Sequence, residues 1–582
     1  MIETQDLERL ISLGHYAQAR KRAEELLTQT DSLRAKQLYA FSLSKAGQPE
    51  AARDFLVRVA KDHPDDPETN GILGGIYKEL FRNQQNTAFA VLARDTYDRN
   101  FALTRNYYTG INAATMSILA GQTRRGKELA QEVLELLKDP EQDFWQAVTR
   151  AEALLLLKER TKSEEAYRKA RRLAGSDWGK INSVYNQLWL LKHYMPVPRE
   201  AMMAFSPPVV AAFVGHMIDH PDRAIPRFPA SIEGHIKQAI TAALNTVNAR
   251  IGYSSLASGG DIIFAEAMEE LGGEVNLFLP FNQSDFLEAS VSFAGDHWTE
   301  RFQRLVNKYP ITYLTEEPHA GHGDLFGLQT SILFGLSHLR SLATHAEPYL
   351  ITVMSERDQQ RRVGGTKDTV GLWPNSQRHI TINPDVYVSI ASVPEETTRP
   401  SGSSVQPNRT DRPVLYFVCL DLSADDANGE AVLAHLEGAS LPAAVVWQRN
   451  NELVVGFKQL LGAMEFATHA LSAASILHPA SRVTLHAGPF PLSRAAGMQH
   501  YPMEEAGAEA PITAIEQLVG IHHFTPIGSV YASGPLAAML ALDTTRYKLS
   551  FVDALREVDK RPIHPIDVFS VLLLHLSKLT NH

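Results

Sequence analysis

The chain carries one cysteine, Cys419, in 582 residues. A single thiol excludes an internal disulfide and a cysteine-based zinc site, and its place in the apolar run VLYFVCLDL reads as a buried, inert thiol. No stretch reaches the ~18 apolar residues that a membrane span needs. The start, MIETQDLERLISLGHYAQAR, is acidic and amphipathic, with no basic region followed by an apolar one, so the expectation is a cytoplasmic protein. Positive charge is not in excess. With 56 Lys and Arg against 66 Asp and Glu, the net charge of -10 argues against a broad nucleic-acid-binding surface. Also missing are G-x-S-x-G, a helical H-E-x-x-H and the dinucleotide fingerprint G-x-G-x-x-G, which leaves no recognisable serine triad, zinc-protease helix or standard dinucleotide loop.

What is present begins with length: 582 residues exceed what one core supports, and the expectation is three or four domains. From Met1 to about Arg199 the chain repeats itself. LGHYAQARKRAEELL from Leu13, AGQPEAARDFLVRVA from Ala46 and AGQTRRGKELAQEVLELL from Ala120 share a glycine turn followed by a helix with small contact residues. A Pro-containing link, HPDDPET, follows the second. This is the tetratricopeptide pattern, in which helix pairs stack into a solenoid that binds peptides or other domains on its concave face. Tyr107, Tyr108 and Asn112 belong either to that face or, at their helical spacing, to the core between repeats, and the core is the favoured reading.

After Ser206-Pro207-Pro208 the pattern turns to alternating strands and helices. VVAAFVG (Val209–Gly215) reads as a buried parallel strand, and Ile251 to Phe281, IGYSSLASGGDIIFAEAMEELGGEVNLFLPF, as strand, glycine turn, helix and strand. Gly259 and Gly260 fall at the strand-to-helix junction, with Asp261 at the expected N-cap. Further strands are expected at Ile311–Leu314 and Tyr349–Ser355, flanking a helix from Leu325 to Thr344. In an open α/β sheet the loops at the carboxyl ends of strands line one crevice. That edge gathers Gly215, His216, Ser254, Ser255, Gly259, Gly260, Asp261, Glu316, Glu317, Arg361, Arg362, Gly364, Gly365 and Thr366. Glycines admit a ligand close to the backbone, helix N-termini favour anions, and Arg361 and Arg362 bring positive charge. Asp261, Glu316 and Glu317 are the acid or base candidates if the crevice is catalytic. His216, His319 and His322, with Glu316 or Asp324, are spaced too loosely to define a metal site.

PEETTRPSGSSVQPNRTDRP has no periodicity and reads as a linker. Beyond it lies an α+β order: strand Val414–Leu422, a hairpin over Ala443–Phe457 turning at Asn450-Asn451, a helix from Leu460, strands RVTLHAGPF and GSVYAS, helix GPLAAMLALD and a last strand near Tyr547. His522-His523 is expected in a surface loop.

The strand–SGGD–helix–strand unit resembles the SLOG superfamily, the Rossmann-like group that includes lysine-decarboxylase-like and DNA-processing-protein folds and whose members sense or cleave nucleotides. Its coupling to the repeats and the segment YYTGINAATMSILAG resemble the central regulatory, TRAFs-binding region of the apoptosis-signal-regulating kinases and its bacterial relatives. This chain lacks the superfamily's PGGxGTxxE sequence, and GGTKD at Gly364 echoes it only in part. LHAGPF and GSVYAS resemble class III nucleotidyl cyclase domains. That resemblance places Asp421 at the first metal-holding carboxylate. It sets Asn450-Asn451 at the second, and Thr513 and Gln517 where transition-state Asn and Arg belong, which implies a vestigial metal position and a lost cyclase activity.

The resulting expectation is a multidomain chain: an all-α tetratricopeptide solenoid over 1–199, an α/β Rossmann-like parallel sheet over 206–393, a linker over 394–412 and a degenerate cyclase-like α+β domain over 413–582. Two functions remain open. One is an intracellular signalling or defence-type sensor that binds a nucleotide or NAD-derived ligand, recruits a protein or peptide on its repeats and forms a homo-oligomer through the last domain. The other is an enzyme cleaving an N-glycosidic or phosphate bond of a nucleotide. Neither uses a nucleic acid or a membrane.

Overall fold

A computed structural model describes residues 4–137, 143–175, 177–220, 223, 225–315, 324–342, 345–356, 370–388, 414–421, 443–449, 452–472, 482–489, 513–543, 546–558 and 561–573. The chain divides into two compact units, Met1–Pro207 with Phe551–Ala554, and Pro208–Ser550 with Leu555–His582. The proposed linker 394–412 lies outside the described residues.

The first unit is a series of helical hairpins: α1 (Thr4–Ser12) with α2 (Tyr16–Leu27), α3 (Leu33–Lys45) with α4 (Pro49–Asp62), α5 (Pro67–Gln84) with α6 (Thr87–Thr104), α7 (Tyr107–Leu119) with α8 (Thr123–Leu136), α9 (Phe144–Leu156) with α10 (Arg160–Ala174), and α11 (Trp178–Lys192) with α12 (Arg199–Ala204). The self-similar glycines mark the hairpin turns. Gly14, Gly47 and Gly121 have φ of 82°, 89° and 79°, a region that costs glycine nothing. Side-chain caps set the starts of α3, α5, α9 and α11, where Ser32, Asp66, Asp143 and Asp177 accept from the amide three residues on. The later repeats are stretched because α5 and α6 run to 18 residues each.

The first helices of successive hairpins are tied by polar side chains about one repeat apart. Ser44 Oγ and Lys45 Nζ reach Glu79 (both 3.1 Å), Lys78 Nζ reaches Asn112 Oδ1 (2.9 Å), and Thr115 Oγ1 reaches Glu152 Oε1 (2.5 Å). Two contacts join the third hairpin to the sixth: Lys78 Nζ donates to Gln187 Oε1 at 3.1 Å and Tyr194 Oη to Gln85 Oε1 at 3.1 Å, beside the rings of Phe81 and Tyr194. Gln187 Nε2 then donates to Glu152 Oε1 at 2.6 Å. Burial pulls the Lys78 ammonium down to about 8 and pushes the Glu152 carboxyl up, each opposed by the attraction of the other. Asn112 is thus a core residue, as favoured from its spacing, whereas Tyr108 is exposed.

In the second unit, β1 (Val209–Gly215), β2 (Ala249–Ser254), β3 (Glu274–Leu279), β4 (Ile311–Tyr313), β5 (Tyr349–Val353) and β6 (His379–Ile382) form a parallel sheet in the order β4-β3-β2-β1-β5-β6. The helices α13 (Glu233–Thr246), α14 (Gly260–Glu270), α15 (Gln283–Ser290) and α16 (Asp296–Lys308) follow β1 to β3, and α17 (Asp324–Leu342) crosses back to β5. Right-handed crossovers in opposite directions put α17 on the face opposite α13 and α14. Charge pairs hold the outer helices in register: Arg301 with Glu233 and Glu266 (both 2.6 Å), and Arg304 with Glu269 (2.7 Å). Partial burial pushes the Glu269 carboxyl up, but hydrogen bonds from Lys308, Arg304 and Tyr309 take it down to about 2.

After the short α18 (Asp385–Val388) comes a mixed sheet, β12-β13-β11-β10-β7-β9-β8, built from β7 (Val414–Asp421), β8 (Ala443–Arg449), β9 (Glu452–Phe457), β10 (Val483–Pro489), β11 (Val530–Ser533), β12 (Tyr547–Val558) and β13 (Arg561–Leu573). Its helices are α19 (Leu460–Ser472), α20 (Thr513–Phe524) and α21 (Gly534–Ala541). The expected hairpin exists, since β8 and β9 pair antiparallel up to Arg449↔Glu452. β13 and α20 were not anticipated, and β12 runs past the expected end.

The two sheets meet through one helix each. Leu328 and Ile332 of α17 pack with Phe278 of β3 and Ala538 of α21, while Leu333 and Phe334 cover Ala212, Leu350 and Trp373. The crossing is so close that a Cβ on Gly335 would stand 1.8 Å from Ala538 O. Gly335→Ala therefore forces α17 and α21 apart, with an expected loss of about 2–3 kcal/mol in urea unfolding. A change under about 0.5 kcal/mol, within the range of ordinary surface substitutions, would contradict this crossing.

Candidate functional site

The strand order reverses between β1 and β5, the position at the carboxyl edge where open parallel sheets place a ligand crevice. His216 leaves β1 at this point, and its Nε2 accepts the Ser355 amide at 2.9 Å. Nε2 is therefore unprotonated. Ser355 Oγ donates to Asp385 Oδ1 (2.6 Å), and the Glu356 amide to Asp385 Oδ2 (3.0 Å), which joins the ends of β1, β5 and β6 in one buried cluster. Sequence reasoning missed Ser355 and Asp385. The signals were slight: a polar residue after YLITV, and an Asn-Pro-Asp turn after a four-residue strand.

The loop after β1 is organised by Asp219, whose Oδ2 accepts the Arg227 and Phe228 amides at 2.7 and 2.8 Å while Oδ1 faces Arg223 Nε at 3.0 Å. Burial raises this carboxyl even so, against the pull of those amides and arginines. The same loop is stitched to the loop after β2. Met217 and Gly259 form an antiparallel bridge, the Ile218 amide donates to Ser258 O (3.0 Å), and the Gly260 amide to His216 O (3.1 Å).

The stitching sets what the glycines do. Gly259 has φ 104°, and a Cβ there would lie 2.6 Å from Ile218 N. A Cβ on Gly260 would lie 3.1 Å from the Phe213 ring and 3.2 Å from Gly215 Cα. Both glycines thus serve contact between protein segments. Asp261 is not the N-cap expected from sequence. Gly259 holds that position, because its positive φ turns the chain two residues early, and Asp261 falls inside the first turn of α14. Its Oδ2 accepts the Ala257 amide at 3.3 Å. Burial raises this carboxyl to about 7, against the pull of the Ala257 and Gly215 amides. Asp261 Oδ1, Ser254 Oγ and Ser255 Oγ are buried without a hydrogen-bond partner.

The structure thus brings Gly215, His216, Ser254, Ser255, Gly259, Gly260 and Asp261 to one edge. Glu316, Glu317, His319, His322, Arg361, Arg362, Gly364, Gly365 and Thr366 lie outside the described residues. No group of three or more His, Cys, Asp or Glu suited to a metal ion occurs among the described residues.

In the second sheet Asp421 ends β7 and is held by its own chain: Arg482 Nε reaches Oδ2 at 2.9 Å and His522 Nε2 reaches Oδ1 at 3.2 Å. Half-burial pushes this carboxyl up, but His522 and Arg482 bring it below its ordinary value. His522 is not on a surface loop. It lies fully buried on α20, where its Nδ1 meets Thr484 Oγ1 at 2.9 Å, and Thr484 meets Thr525 at 2.8 Å. Its neighbour His523 reaches Glu452 at 3.1 Å. Asn450 and Asn451 lie outside the described residues. Cys419 is buried, and burial pushes its thiol up.

The helical hairpins with glycine turns define the first unit as a tetratricopeptide array. Residues 15–117 match the family model described as Tetratricopeptide Repeats-Sensor. Similar solved structures include a thermophilic tetratricopeptide repeat protein of Thermus thermophilus (17% identity, 32% of this chain and 100% of that one, TM-score 0.28). Another is PilF of Pseudomonas aeruginosa (14% identity, 35% and 86%, TM-score 0.25). A third is a tetratricopeptide repeat protein of Parabacteroides merdae (10% identity, 34% and 80%, TM-score 0.24). No functionally curated protein matches the chain. Among the described residues, no helix is long and apolar enough to cross a membrane.

The raised Asp261 carboxyl has a consequence for stability. Between its ordinary value of 3.8 and about 7 the folded chain holds a proton that the unfolded chain has released. Its contribution is therefore present in full below 3.8 and is lost as pH rises through about 7. Asp261→Asn, which cannot ionise, should gain stability relative to wild type across that window and hold a constant difference above it. Denaturation at a series of pH values checks this, and a difference that does not change with pH counts against a buried, raised carboxyl.

Proposed function

We propose that the chain is an intracellular signalling or defence-type sensor that reads a nucleotide or NAD-derived ligand in the crevice of the parallel sheet. The observation that carries this reading is the strand reversal at β1 and β5, where His216, Ser355 and Asp385 are joined at the same edge as Ser254, Ser255 and Asp261. In this reading Gly215, Gly259 and Gly260 shape the edge. Arg361 and Arg362, with Gly364, Gly365 and Thr366, supply charge and close backbone approach for the phosphate. The repeats bind a protein partner, in keeping with the tetratricopeptide match and with the word sensor in the matched family's description. The segment 413–582 is the assembling part, through which copies of the chain associate.

One observation favours the second reading, an enzyme cleaving a nucleotide: a carboxyl at about 7 suits general acid or base work near neutral pH. Incubation with NAD, ATP and nucleoside monophosphates, followed by calorimetry and product analysis, separates the two. Binding without turnover is the expected result. Product formation that disappears in Asp261→Asn would replace the sensor by a hydrolase. The second sheet is expected to form no cyclic nucleotide from ATP or GTP with magnesium or manganese, since both oxygens of Asp421 are already engaged. Cyclic product abolished by Asp421→Ala would overturn that expectation.

A further inference from the structure

Ser254 closes β2 on the face that carries α14, because Gly252, two residues earlier on the same side, lies against Phe264 and Met268. Asp261 stands in the first turn of that helix. Ser254 and Asp261 are 1% and 6% exposed, and Ser255, half-buried, lies beside them at the rim. Ser254 Oγ, Ser255 Oγ and Asp261 Oδ1 are thus buried oxygens at the same end of β2 and α14, and none makes a hydrogen bond. A buried polar atom without a partner calls for an explanation, such as a bound group or water that settles it or a strain kept for a purpose.

The start of α14 has little left for an anion. The Gly260 amide donates to His216 O, the Ile262 amide to Ala257 O and the Ile263 amide to Gly259 O. A carboxyl group sits among them. A phosphate here would meet spent donors and an acidic side chain, so the usual attraction of a helix N-terminus for anions does not operate. What remains is rich in acceptors and hydroxyls, and suits a group that brings hydroxyl donors.

We infer that this corner receives the uncharged, hydroxyl-bearing part of the ligand, a ribose diol, on Ser254, Ser255 and Asp261, while the ligand's phosphate lies elsewhere in the crevice. The inference rests on the nucleotide-binding reading. A carboxyl at about 7 fits it, since near neutral pH the group both accepts from and donates to a hydroxyl.

The test titrates the full-length chain calorimetrically with AMP, ADP-ribose, 2′,3′-dideoxy-AMP and inorganic pyrophosphate, as wild type, Asp261→Asn and Ser254→Ala. Wild type should prefer AMP to its dideoxy analogue by at least about tenfold, and the preference should fall to within about threefold in Asp261→Asn. Ser254→Ala should lose part of it, and neither variant should change the affinity for pyrophosphate. Should Asp261→Asn fail to fold, Ser254→Ala carries the comparison. Equal affinity of wild type for AMP and dideoxy-AMP overturns the inference and leaves an ordered water as the occupant of the corner. Undiminished preference in both variants overturns it as well, while the nucleotide reading stands. If wild type binds none of the four probes, the nucleotide reading falls, and this inference with it.

Discussion

The pairing of the loop that leaves β1 with the loop that leaves β2 fixes the carboxyl edge of the parallel sheet. The Met217–Gly259 bridge and the two amide contacts beside it bring the backbones so close that only glycine fits at 259. From that constraint follow the early start of α14, the placement of Asp261 inside its first turn and the loss of the helix's free amides to neighbouring carbonyls. A glycine-rich junction that resembles a ligand cradle is here a seam between two loops. The polar character of the crevice comes from the side chains around the seam.

The second sheet spends its polar groups on itself in a comparable way. Asp421, His522 and Thr484 stand in the order carboxylate, imidazole, hydroxyl, with hydrogen bonds of 3.2 and 2.9 Å. Thr484 has no exposure, so a nucleophile's access to substrate is missing and the relay is a brace between β7, β10 and α20. The two ring nitrogens meet Asp421 and Thr484, Thr484 meets Thr525, and Thr525 Oγ1 donates to Ile521 O. Each member has a partner, which is how a polar group is kept in a core without cost to the packing around it.

Much of this was legible. Periodicity located β1, β2, β3, β5 and α14, and the Asn450-Asn451 pair located a hairpin, because each signal is local and strong. The repeat glycines were readable for the same reason. β13 was hidden by Pro562 and Pro565, which argue against a strand when neighbours are unknown. β6 is four residues long, too short for an alternation to show. His522 looked like surface because two adjacent histidines are polar, and only the fold shows Asp421 and Thr484, 101 and 38 residues away, waiting for its two nitrogens. Ser355 and Asp385 were invisible on the same ground: a cluster assembled from three strand ends leaves no spacing in the sequence.

In the first unit, side chains at the end of α5 touch those in and just after α11 across the hairpins between them, through Lys78 and Gln187 and through Gln85 and Tyr194. An open solenoid tolerates the gain or loss of a repeat, since each unit meets only its neighbours. This array does not share that freedom. Inserting or deleting one hairpin between α5 and α11 would carry Gln187 out of reach of Lys78, and a change between α5 and α9 would also part the buried Glu152 from the charge of Lys78. The number of repeats is therefore part of the protein's specification, and variation in length among proteins built on this plan should fall before α5 or after α11.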